Sequence, residues 1–184
     1  MPRFVFHTAT TANGYLATPD DSLAWLFEVQ GEEPDLSGFM AAVTVLVVGS
    51  TTYEWLLREE NLLAEPAKWA GYFGAKPMFV FTTRTLAAPE GADVRFVGGP
   101  VADNLPALRE AAGDGTVWVQ GGGDLAGQFL DAGALDEIVL DVAPVFLAGG
   151  RPLLPREVRC DRLHLASAEK VGQFAVLTYA VLGA

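Results

Sequence analysis

The chain reads as an α/β protein: one mostly parallel sheet of about eight strands, covered by helices and finished by an antiparallel hairpin. Three observations lead there. Runs such as VTVLVV (43–48) and MFVFTT (78–83) are continuously apolar, as in strands buried on both faces. From residue 43 these runs alternate with segments of helical spacing. After about residue 136 the alternation stops and only strand-like segments follow.

RFVFHT (3–8) is the first strand. A loop follows, rich in turn residues, with Asn13-Gly14 and Pro19-Asp20. LAWLFEV and DLSGFMAA are short helices, and VTVLVV is the second strand. It runs into GSTTYEWLLREE, a helix that Ser50, Thr51 or Thr52 is placed to cap. MFVFTT and VRFV (94–97) are the third and fourth strands. NLPALREAAG is a helix stopped by Gly113, and TVWVQ (116–120) is the fifth strand. DLAGQFLDAG is a helix with Leu125 and Phe129 on one face and Gly133 as its stop. DEIVLDVAPVFL is a sixth strand, in which Pro144 signals an edge or an irregularity. The tail is two strands joined around Gly172. No repeat or linker interrupts the series, so residues 1–184 are expected to form one domain.

Composition narrows the function. Half of the residues are hydrophobic (51%) and 19% are charged, as in a globular core-forming chain. Twelve basic against 23 acidic residues give a net charge of −11. Such a chain suits neither nucleic acid nor an anionic membrane surface. No apolar run approaches the ~18 residues of a membrane span, and MPRFVFHTATT lacks the apolar core of a signal peptide, so a cytoplasmic protein is expected. Cys160 is the only cysteine and reads as a structural residue on the strand that carries His164. No His/Cys/Asp cluster has metal-ligand spacing, so no metal is expected.

Two junctions share one layout: VTVLVV runs into Gly49 and a hydroxyl-rich helix start, and TVWVQ runs into Gly121-Gly122-Gly123 and Asp124. A helix N-terminus offers unpaired N–H groups and partial positive charge, and glycine admits a close neighbour or a positive φ. Together they form an anion site without a basic side chain. Two on one sheet suit a ligand with separated phosphates, such as a dinucleotide; alternatively the glycines only make the turns. The P-loop pattern is absent, and a Rossmann fingerprint would follow the first strand of its unit, not the fifth.

Three ordered segments resemble the dihydrofolate reductase-like superfamily, in the group related to the C-terminal reductase domain of riboflavin biosynthesis. They are TANGYLATPDDSLAWL, VLVVGSTTYE and VWVQGGGDLAGQFLDAGALDEIVLDVAPVFLAGGRPLL. The resemblance implies a three-layer αβα fold and hydride transfer from NADPH. It places Gly49, Ser50, Thr51 and Thr52 against cofactor phosphates, Thr82, Thr83 and Arg84 near the adenosine end, and Gly121, Gly122, Gly123, Asp124 and Leu125 around the pyrophosphate. Leu16 and Ala17 would approach the nicotinamide, while Asn13, Gly14 and Trp25 would border the substrate. It also implies a homodimer.

Two positions depart from the family pattern. Its arginine after the strand-two glycine is Ser50 here, which removes a fork-shaped phosphate ligand and leaves NADH open beside NADPH. Arg84 either supplies the missing charge or is a solvated loop residue. Asn13 stands where Asp is frequent: it either meets a different substrate or holds the Asn-Gly turn.

Hydride transfer needs mainly positioning, which suits a chain without a Ser-His or Cys-His pair. Asp20, Asp21 and Glu28 flank the substrate loop as candidate proton donors, with solvent as the other source, so no catalytic residue is assigned. The chain also lacks the H-x-E and P-C-x-x-C signatures of zinc deaminases. The expected function is a NAD(P)H-dependent reductase of a small pterin-like or riboflavin-precursor-like substrate. The alternative is a non-catalytic nucleotide-binding or homodimeric module of the same fold.

Overall fold

The computed structural model describes residues 1–183. Its elements, in chain order, begin with β1 (Arg3–Thr11), β2 (Tyr15–Ala17), α1 (Ala24–Phe27), α2 (Ser37–Ala42), β3 (Val43–Gly49), α3 (Ser50–Glu59) and α4 (Ala67–Phe73). Then come β4 (Met78–Phe81), β5 (Val94–Val97), α5 (Val101–Ala112), β6 (Thr116–Gly121) and α6 (Gly123–Asp131). The chain ends with β7 (Glu137–Ala143), β8 (Arg151–Pro152), β9 (Leu163–Val171) and β10 (Phe174–Val181). No helix of the described residues is long and apolar enough to cross a membrane.

Eight strands form one sheet in the order β5-β4-β3-β6-β1-β7-β10-β9. Neighbours pair in parallel except where β10 runs against β7 and β9. The mostly parallel sheet, the C-terminal hairpin and the helical layers on both faces agree with the sequence reading.

The apolar runs become central strands because both faces are covered. Val45, Leu46, Val47 and Val48 are all fully buried. Val45 and Val47 pack with α5 and α6, and Leu46 and Val48 pack with α3 and α4. Burying each such side chain is worth about 1.5–3 kcal/mol, so β3 is the main anchor between the layers. Phe129 of α6, also fully buried, meets Phe4 and Phe81 at ring-centroid distances of 5.8 and 6.0 Å.

Several local expectations change. α3 has no hydroxyl cap: Gly49 is the cap residue, no side chain bonds there, and Ser50 already lies inside the helix. β7 is an interior strand that ends at Ala143, so Pro144 lies just beyond the ladder, where its missing N–H costs no pairing. α5 starts at Val101, three residues before the apolar periodicity is visible. Cys160 is exposed in the turn before β9, not on the strand with His164. α4 and the two-stranded β2–β8 ribbon were not expected at all.

The β9–β10 turn touches the rest of the chain at one narrow place. Gly172 has φ +54, and a Cβ there would lie 2.1 Å from the carbonyl oxygen of Glu32. Phe174, just beyond, packs with Ala143 and Trp25.

Tyr53 ties α3 to the segment after β4. Its ring is fully buried and its hydroxyl donates to the Ala87 carbonyl at 2.7 Å. Burial pushes its pKa from 10.0 up to about 12. The neutral phenol therefore contributes its full stability below pH 10, and that contribution is lost as pH rises toward about 12. Tyr53→Phe should cost about 1 kcal/mol in urea unfolding at neutral pH. The same variant should lose less stability than the wild type between pH 10 and pH 12.

Candidate dinucleotide cavity

β3 and β6 are adjacent parallel strands, with Val48 beside Gly121. The helices that follow them leave to opposite faces of the sheet: α3 packs on Leu46 and Val48, and α6 on Val117 and Val119. This is a topological switch point, where a crevice opens beyond the carboxyl ends of the strands. A cavity of about 740 Å³ occupies it. That volume lies within the range of small-molecule and cofactor pockets.

The three glycines at the end of β6 have separate tasks. Gly121 sits at φ +141, a backbone conformation that side chains disfavour. Its peptide to Gly122 is cis. Gly122 has φ −76 and nothing within 4 Å of an added Cβ, so its bare face is open space at the cavity wall. A Cβ at Gly123 would lie 2.4 Å from the carbonyl oxygens of both Pro152 and Leu153. That third glycine therefore lets the β8 segment cross the start of α6.

Of the residues expected to hold cofactor, Leu16, Ala17, Gly49, Ser50, Thr51, Thr52, Thr82, Thr83, Gly121, Gly122, Gly123, Asp124 and Leu125 all line the cavity. Trp25 lines it too; it is 5% exposed, and its indole Nε1 has no partner among the described residues. Arg84 lies outside the wall, clamped by Glu54 through Nη1–Oε1 at 3.1 Å and Nη2–Oε2 at 2.5 Å. Neither sequence reading foresaw that pair.

Asn13 and Gly14 are also absent from the wall. Asn13 donates from Nδ2 to the Leu147 carbonyl at 2.7 Å, and its Oδ1 accepts from Leu147 N and Thr11 Oγ1 at 3.2 and 2.9 Å. It stitches the β1–β2 turn to the segment after β7. Gly14 makes that turn at φ +81, and its carbonyl accepts from Leu153 N at 2.9 Å.

Further lining residues went unrecognised in the sequence. Trp55, Gly98, Gly99, Gln120, Gln128 and Arg151 all face the cavity. Gln120 is partly buried, and its Oε1 has no partner among the described residues. Gln128 follows Asp124 by one helical turn and donates to it at 2.9 Å, a spacing that was visible in DLAGQ.

The acids near the cavity are engaged. Asp124, in the first turn of α6, has its pKa lowered by the Gln128 hydrogen bond, and further by Arg156 at 3.1 Å. Asp21, at φ +63, receives Arg151 Nε and Nη2 at 2.6 and 2.9 Å. Asp20 and Glu28 are exposed and stand off the wall. The Thr18 hydroxyl bonded to Asp20 lowers its pKa. Of the three carboxylates Asp20, Asp21 and Glu28, only Asp21 lines the cavity, and Arg151 holds it.

An eight-stranded, mostly parallel sheet with a C-terminal hairpin and a glycine-led crevice at its switch point defines a dihydrofolate reductase-like domain. The chain belongs to the RibD C-terminal domain family, whose model matches residues 2–177. Among curated relatives, the uncharacterized protein YwjB of Bacillus subtilis is 27% identical over 176 residues, 95% of each chain. Riboflavin biosynthesis protein RibD of Mycobacterium tuberculosis is 26% identical over 153 residues, which cover 81% of this chain and 44% of that protein. Among solved structures, a protein of Shewanella sp. PV-4 named for riboflavin biosynthesis superposes with a TM-score of 0.77 at 26% identity, covering both chains fully. A pyrimidine reductase-like protein of Corynebacterium diphtheriae shares the fold, with a TM-score of 0.65 at 16% identity over 100% of this chain and 93% of that one.

Gly123→Ala should lower stability by about 3 kcal/mol, because backbone on both sides blocks the methyl. In calorimetry the melting temperature should fall by roughly 6–12 °C. Gly122→Ala should stay within about 0.5 kcal/mol of the wild type.

Proposed function

We propose that the chain is a reductase. It moves hydride from a reduced nicotinamide dinucleotide to a small heterocyclic acceptor of the pterin or riboflavin-precursor kind. One observation carries this reading: two glycine-led helix starts, on adjacent parallel strands, open into a single cavity of about 740 Å³. The free N–H groups at the starts of α3 and α6 suit the pyrophosphate. Membership of the RibD C-terminal domain family supports the reductase chemistry.

Each wall has a part in that chemistry. Gly122 leaves room for phosphate oxygens to approach backbone. Leu16, Ala17 and Trp25 form the apolar end, where a nicotinamide ring and an acceptor would be held together and dry. The dinucleotide supplies the hydride; the chain supplies position and exclusion of water. A homodimer belongs to the same proposal: β9 is an edge strand of the sheet and Leu165 on it is 50% exposed.

Calorimetric titration should give micromolar binding of a nicotinamide dinucleotide, about −8 kcal/mol, and weaker binding of ADP. Gly122→Ala should weaken that binding roughly tenfold while keeping the fold, since its methyl enters the cavity. Absorbance at 340 nm should fall when a dihydropterin or a phosphoribosylaminopyrimidine is added. Binding without oxidation of the cofactor would favour the non-catalytic module. Sedimentation should give twice the 19.6 kDa chain mass, and a monomer would remove the dimer.

A further inference from the structure

We infer that Glu54 sets the cofactor preference, and that the cavity takes NADH in preference to NADPH. This rests on the dinucleotide reading above and deepens it. The two cofactors share a pyrophosphate and differ by one 2′-phosphate, a monoester that carries about −1.5 to −2 at neutral pH. A pyrophosphate can rest on helix N–H groups; a dianionic monoester calls for a free cation, best a guanidinium.

Among the described residues no guanidinium at the cavity is free. Arg151 is the one basic residue in its wall, and Asp21 holds it with two hydrogen bonds of 2.6 and 2.9 Å. Beside the cavity lies a smaller concavity that shares Asp21, Thr51 and Trp55 with it and adds Asp20, Glu54, Arg58 and Arg84. There Arg84 is clamped by Glu54, and Arg58 is 3.1 Å from Glu59. Asp124 adds negative charge at the start of α6, and its partner Arg156 is also bound to Asp131 at 2.7 Å. None of the three lysines, Lys68, Lys76 and Lys170, lines either space. With the adenosine end at Thr82 and Thr83, as the family resemblance implies, a 2′-phosphate would meet paired arginines and a surplus of carboxylates, on a chain of net charge −11.

Glu54 decides the outcome because Arg84 is the cation nearest to release. The Arg84 backbone N–H bonds Thr82 Oγ1 at 3.0 Å, and Thr82 and Thr83 are cavity wall. Without the Glu54 carboxylate, the Arg84 guanidinium lines the smaller concavity with no partner from α3.

The test is calorimetric titration of NADH and NADPH into the wild type, Glu54→Gln and Glu65→Gln. Glu65 pairs with Lys68 away from both spaces, so its variant changes net charge equally without touching Arg84. The wild type and Glu65→Gln should bind NADH at least about tenfold more tightly than NADPH. Glu54→Gln should tighten NADPH by about tenfold and leave NADH unchanged. Both pairs sit on the surface, so melting temperatures should stay close to that of the wild type. Tighter binding of NADPH by the wild type would overturn the inference, as would an unchanged NADPH-to-NADH ratio in Glu54→Gln. Both results would leave the dinucleotide reading intact. If neither cofactor binds the wild type, that reading fails and the preference with it.

Discussion

The structure depends on the burial of β3 from both sides. Its side chains alternate between two helical layers, so the chain must leave β3 on one face and leave its neighbour β6 on the other. No element can then fill the space beyond the ends of these two strands. The crevice is a by-product of core packing, and Gly122 turns no side chain into it. In this sense the hydrophobic effect, acting on one apolar run, creates the cavity.

The apolar end of the cavity, at Leu16, Ala17 and Trp25, is built differently, from long-range backbone contacts. β8 crosses the start of α6 at Gly123, and a Cβ at Gly150 would lie 2.1 Å from the Ala17 carbonyl oxygen. β2 and β8 are therefore held against each other and against α6 with no room for a side chain between them. Asn13 closes the same corner by bonding the Leu147 peptide through both ends of its amide. Its value is structural: an amide can donate and accept at once, which a carboxylate cannot.

Much of the fold was legible, because buried parallel strands leave an unmistakable run of apolar residues and the glycine triplet marks where one of them ends. The two glycine-led helix starts in the cavity wall followed from the same signals, whereas Leu16, Ala17, Trp25, Thr82 and Thr83 followed from the family resemblance. What escaped notice lacked a local period. β2 and β8 have three and two residues, too few for alternation, and α4 buries only Trp69 and Phe73. Arg151 and Asp21 meet across 130 residues and Arg84 and Glu54 across 30, so neither pair has a spacing to read. Arg84 shows the limit most clearly: the sequence locates the guanidinium near the wall but not the carboxylate that occupies it. The capping hydroxyls failed for a related reason, since Gly49 takes the cap position and moves Ser50 into the helix.

The narrow contact at the hairpin tip ties the two ends of the chain's architecture together. Gly172 sits against the Glu32 carbonyl, and Phe174 supports Trp25, so the apolar end of the cavity leans on the last β-turn of the sheet. The two glycine-led helix starts rest instead on the paired strands β3 and β6. The two halves of the cavity thus have separate mechanical supports, one in the central strands and one in the peripheral hairpin. Sequence drift in the hairpin can reshape the apolar end of the cavity while the two glycine-led helix starts stay as they were.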